Sequence, residues 1–152
     1  MINFKDQFKS LASIIKEEFL IDVILKSGVE DAYFPNLNIM TINSDPRWET
    51  RFYMLLHETG HFIFDKTEND KDKFMETVKF GRELSSKSKR KYIAEVLEES
   101  LAWKYGQSFA KQRGFKINYA KYDKIAADCI MSYSVLGLRS IYGKSFKIEG
   151  IV

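Results

Sequence analysis

Histidine is scarce in this chain of 152 residues: there are two. Cysteine is scarcer still, at one, so no internal disulfide can form and the fold must rest on its core. That cysteine, Cys129, lies in "KIAADCIMSYSVLGL" and reads as a small apolar residue on a buried helix face. Prolines number two, and no internal repeat is visible. No apolar run reaches the length needed to cross a bilayer. The first residues, "MINFKDQFKSLASIIKEEF", carry charges throughout, unlike a signal or targeting segment. A reducing, cytoplasmic setting fits these features. The charge balance is weak: 24 basic and 21 acidic residues leave +3, too little to argue for nucleic acid.

What is present suits a single domain spanning 1–152. Hydrophobic residues make up 45% and aromatics 14%, enough for a substantial core. In "FKDQFKSLASIIKEEFLIDVIL", Phe4, Phe8, Leu11, Ile15 and Phe19 recur at three- and four-residue steps. That spacing predicts an amphipathic helix ending near Ser27–Gly28. "NIMTIN" is β-branched and bounded by turn formers, so 38–43 reads as a strand, with Ala32 to Phe34 a second. Asp45–Pro46 resembles a helix start, Asp as cap and Pro at the first helical position, for a helix to about Phe64. "DKTENDKDK" reads as a polar turn and "FMETVKFGREL" as a short helix. "SSKSKRK" reads as a solvated basic loop rather than a site for an anionic partner. A long helix from about Lys89 to Arg113 stops at Gly114. "FKIN" is a short strand or connection, and Asn118 caps a last helix through about Tyr142. The class is α+β, mostly helical, with a small sheet.

Both histidines fall in "FYMLLHETGHFIF". His57 and His61 are four apart, so on a helix they share one face. Two imidazoles at that spacing can converge on one Zn2+ ion. Glu58 then sits beside the metal without ligating it, placed to take a proton from an activated water. Thr59 and Gly60 between them are small, and the glycine permits a close approach. The alternative for this stretch is a pair of core histidines, or a metal that staples the fold.

A catalytic zinc takes three protein ligands and leaves a fourth position open. With no third histidine, the third ligand is a carboxylate or Cys129. "YIAEVLEESLAWKYGQSFA" offers Glu95, Glu98 and Glu99. At about 100° per residue, Glu99 shares a stripe with Glu95, Ala102, Gly106 and Ala110, flanked by Val96 and Trp103. Small residues there allow a second helix to approach, which favours Glu99 as ligand, then Glu95, then Glu98. Glu95 could instead hold a ligating histidine by its other ring nitrogen. For an oxyanion donor, Tyr133 and Arg51 are the candidates.

These residues bring a family into view. "INSDPRWETRFYMLLHETGHFIF" resembles the core of the ImmA/IrrE-type zinc metallopeptidases, with "IMTIN", "ETRF" and "HETGH" as the matching pieces. "ESLAWKYG" is an imperfect match to that family's downstream helix, and it aligns Glu99 with the family's glutamate. The overall style is also similar to small metallopeptidase-like proteins of large bacterial viruses (phage). The resemblance covers roughly 38–110. It implies a zincin-like helical fold around a small antiparallel sheet beside the metal helix. It further implies that an edge strand, here 38–43, would bind an extended protein or peptide substrate. The expected activity is zinc-dependent peptide hydrolysis with Glu58 as general base. The rivals are a non-catalytic zinc-stapled binding or assembly module and a zinc hydrolase acting on a non-peptide bond.

Overall fold

The computed structural model describes residues 1–66, 84–85 and 87–144. They form four helices and a three-stranded sheet in an α+β, mostly helical arrangement. Residues 1–66 and 101–123 fall in one compact unit, and 84–85, 87–100 and 124–144 in a second. The expected "FMETVKFGREL" helix lies outside the described residues, apart from Leu84, as does most of "DKTENDKDK".

In the first unit, helix α1 spans Phe4–Phe19. Asn3 caps it by accepting from the Asp6 N–H at 3.2 Å. Phe8, Leu11 and Ile15 are its buried stripe. The helix ends nine residues before Gly28, earlier than the periodicity predicts. Leu20 adopts the left-handed conformation (φ 58°), and the Ile21 N–H closes back on the Ile15 carbonyl at 3.4 Å. The apolar run then continues as strand β1, Asp22–Lys26. Strand β2 is Ala32–Phe34 and β3 is Ile39–Asn43.

The order is β1-β3-β2, with β1 parallel to β3 (Asp22 opposite Ile39, Lys26 opposite Asn43) and β2 antiparallel to it (Ala32 opposite Thr41). The sheet is therefore mixed where an antiparallel one was expected. The stretch expected to be an edge, 38–43, provides the central strand, with both of its sides paired. Asn38 itself precedes the strand at φ 51°. The period-two pattern is clear in β3, where Met40 and Ile42 are fully buried between more exposed neighbours.

Helix α2 spans Trp48–Lys66. Asp45 does not cap it. Its carboxylate accepts from the Ser27 hydroxyl and from the Gly28 N–H, sealing the turn after β1 instead. Those bonds hold its pKa below the usual carboxylate range. Gly28 needs its freedom there, at φ 68°. The helix α3, Lys89–Gln112, contributes its second half to this unit, and α4, Tyr119–Tyr142, its first turn. Tyr53 joins three segments: its hydroxyl donates to Glu49 at 3.0 Å and accepts from the Asn118 N–H at 2.9 Å. Burial, more than these partners, pushes its pKa up. Asn118 caps α4 as expected, accepting from the Lys121 N–H at 3.3 Å. Arg113, just past α3, clasps the Glu18 carboxylate with both terminal nitrogens. "FKIN" is a connection without strand pairing.

In the second unit, Ser88 caps α3 by accepting from the Lys91 N–H at 3.4 Å, so the helix begins inside the basic stretch. The Gly137 backbone on α4 meets the Tyr92 ring so closely that an added Cβ would lie 2.1 Å from Cδ2. Among the described residues, no helix is long and apolar enough to cross a membrane.

Candidate metal centre

Gly60 sets the position of α2 against α3. A Cβ added there would stand 1.8 Å from the carbonyl oxygen of Ala102. One turn away the relation is reciprocal: a Cβ on Gly106 would stand 2.3 Å from the carbonyl oxygen of Leu56. The pairs 60 with 102 and 56 with 106 make the two helices antiparallel and bring backbone against backbone. Glycine costs a helix interior about 1 kcal/mol relative to alanine. Two glycines are tolerated here because no other residue fits the crossing.

That register carries the turn preceding Ala102 toward the level of His61. His57, His61 and Glu99 each offer one ligand atom, and these atoms all lie within 4.8 Å of one another. The two imidazoles meet edge to face at 4.6 Å between centroids, with their Nε2 atoms 2.9 Å apart. Nitrogens sharing one tetrahedral zinc stand about 3.3 Å apart, a small adjustment from this geometry. His57 and Glu99 are buried, at 4% and 6% exposure, and His61 is half-buried. Two imidazoles with one carboxylate form a donor set suited to a zinc that keeps an open position, so these residues fit the ion.

Glu58 is also buried, with its carboxylate 3.9 Å from His57 Nε2. It lies beside this cluster rather than in it. Thr59 is fully buried and ties its hydroxyl to the Leu55 carbonyl at 2.7 Å, leaving the face between the histidines to Gly60.

Of the rival carboxylates, Glu95 is half-exposed and pairs with Lys91 at 3.7 Å, an ordinary solvated helix face. Glu98 is half-buried outside the cluster, and Cys129, half-buried on α4, is outside it too. The stripe read from helical phase holds from Glu99 through Ala102, Gly106 and Ala110, all buried, and fails at Glu95. Arg51 is engaged elsewhere: its Nε donates to the Pro46 carbonyl at 2.6 Å and its guanidinium lies 4.3 Å from the Trp48 ring centre. Tyr133 is an exposed residue of the second unit. Neither is assigned to the oxyanion.

Trp103 belongs to the site more closely than its flanking position on the stripe implied. Its ring lies 4.4 Å from the His57 imidazole, tilted by 43°. Tyr122 packs edge to face with it at 5.1 Å and donates to its carbonyl at 2.7 Å. Comparison with protein-family models, with characterised proteins and with solved structures finds no match.

Proposed function

We propose that this chain is a zinc-dependent peptidase of the ImmA/IrrE-like kind, with His57, His61 and Glu99 as metal ligands and Glu58 as general base. One observation carries the reading: one ring nitrogen from each histidine and a buried carboxylate oxygen from a different helix gather within 4.8 Å, beside a buried glutamate that is not one of them. A metal that merely stapled the fold would have no use for Glu58. Zinc held by His57, His61 and Glu99 would supply Lewis acidity, making water a readier nucleophile and polarising the scissile carbonyl. Glu58 takes the proton of the attacking water and later passes it to the leaving amine. Its buried setting keeps the carboxylate close to its task and poorly screened.

An extended peptide would pair with a free edge, and β2 is the edge strand that packs on the metal helix, through Tyr33 against Phe62 at 5.8 Å. The β2 edge thus takes the role first given to 38–43.

The test is Glu58→Gln. The variant is expected to keep stoichiometric zinc by elemental analysis while losing cleavage of an unstructured peptide library. Full activity in the variant removes Glu58 from the mechanism. Wild-type protein that holds zinc yet leaves peptides and small amides intact is a staple. Cleavage of small amides with peptides left intact points to the non-peptide hydrolase.

A further inference from the structure

Trp103 is 3% exposed, and its indole N–H has no hydrogen-bond partner among the described residues. A buried donor left without an acceptor is costly, and native proteins keep few of them without a reason. The surroundings supply one. Trp103 stands four residues after Glu99 on the continuous helix α3. Side chains on a helix lean toward its N-terminus, so the indole covers the turn that carries Glu99. Side chains at this spacing start about 5–6 Å apart at Cβ, within reach of a large ring. The same ring lies against His57, 4.4 Å between centroids. Tyr122 packs edge to face with the ring and, through the Trp103 carbonyl, fixes its backbone.

We infer that Trp103 is a positioning residue of the metal centre: with the ion bound, its indole N–H donates to the Glu99 carboxylate while the ring braces His57. One ring then orients two ligands from two helices. A carboxylate that ligates through one oxygen has the other available as acceptor, and a neutral donor there holds it in place without competing with the metal for charge. The inference rests on Glu99 being the third ligand.

The experiment uses the full chain labelled with nitrogen-15 and titrated with zinc alone. Its two tryptophans, Trp48 and Trp103, give two indole resonances, assigned with Trp48→Phe. At one equivalent of zinc the Trp103 indole proton is expected to shift downfield and to exchange more slowly with solvent, while that of Trp48 stays. Zinc binding with an unmoved Trp103 resonance overturns the inference and leaves the peptidase reading standing. The same shift in zinc-loaded Glu99→Ala removes Glu99 as the acceptor and overturns it equally. Wild-type chain that binds no zinc sinks both. Trp103→Phe keeps a ring on His57 and loses the donor, and its zinc affinity should fall roughly tenfold. Unchanged affinity in a folded Trp103→Phe overturns the inference. A purely structural tryptophan would lower thermal stability and leave zinc affinity alone.

Discussion

Replacing Gly60 by alanine adds one carbon to the helix that carries both histidines. On a solvent-facing helix the change would stabilise by about 1 kcal/mol. Here the new Cβ would stand 1.8 Å from the Ala102 carbonyl oxygen, 2.6 Å from its carbon and 3.0 Å from its Cα. Carbon and carbonyl oxygen rest no closer than about 3.3 Å, so α2 and α3 must part by about 1.5 Å. The obstacle is backbone, which cannot swing aside as a side chain can. Gaps of 0.5–1 Å already forfeit about a quarter to a half of a dispersion contact, and this crossing is lined by fully buried Leu56 and Ala102. Overpacking typically costs about 1–3 kcal/mol, and a backbone clash belongs at the upper end. Set against the helical gain, Gly60→Ala should destabilise by about 2 kcal/mol, or about 4–8 °C in Tm for a chain of this size. Circular dichroism melts of the metal-free protein measure it. Zinc affinity should fall as well, since Glu99 rides three residues ahead of Ala102. Gly106→Ala, at 2.3 Å from the Leu56 oxygen, should cost less, and the double variant less than the two together, because helices already parted accommodate the second methyl. A Gly60→Ala protein as stable as wild type would refute the close crossing.

Glu99→Ala should weaken zinc binding by at least tenfold in a competition titration, whereas Glu95→Ala, which loses an exposed pair with Lys91, should leave it unchanged; normal metal binding by Glu99→Ala removes it as ligand. Asp45 gives a pH signature in the metal-free protein. Its folded pKa lies below its unfolded value of 3.8, so its stabilisation is complete above that value and disappears as pH falls through the lower folded one. Urea midpoints of wild type and Asp45→Asn should therefore differ at pH 6 and converge toward pH 2. A gap that persists at low pH would show that the Ser27 and Gly28 bonds do not depend on the charge.

The long helices were legible because their apolar positions keep one period and their ends carry capping residues, as at Asn118. The histidine pair was legible because a four-residue spacing has one meaning on a helix. Glu99 emerged from phase: the small residues Ala102, Gly106 and Ala110 mark a face that another helix must touch, and a carboxylate on that face needs a partner. The failures are equally physical. In "FLIDVIL" every residue but Asp22 is apolar, so period cannot separate helix from strand, and the break is made by Leu20 in a left-handed conformation that leucine seldom adopts. Asp45–Pro46 has the chemistry of a cap, but a side-chain oxygen serves whichever N–H the fold presents, and that is Gly28. Strand order is a long-range property, so nothing in "NIMTIN" said it would lie in the middle. Trp103 read as a flanking apolar residue because a ring's orientation toward His57 depends on how the helices cross.

A chain laid along β2 would meet an edge three residues long. So short a ladder offers a visitor few main-chain bonds, and such bonds ignore the visitor's sequence. Tyr33 turns toward Phe62, while Phe34, on the alternate side, is 43% exposed. Discrimination among targets would then fall on side-chain contacts near the cut, so good and poor targets should be told apart by one or two residues rather than by a long consensus.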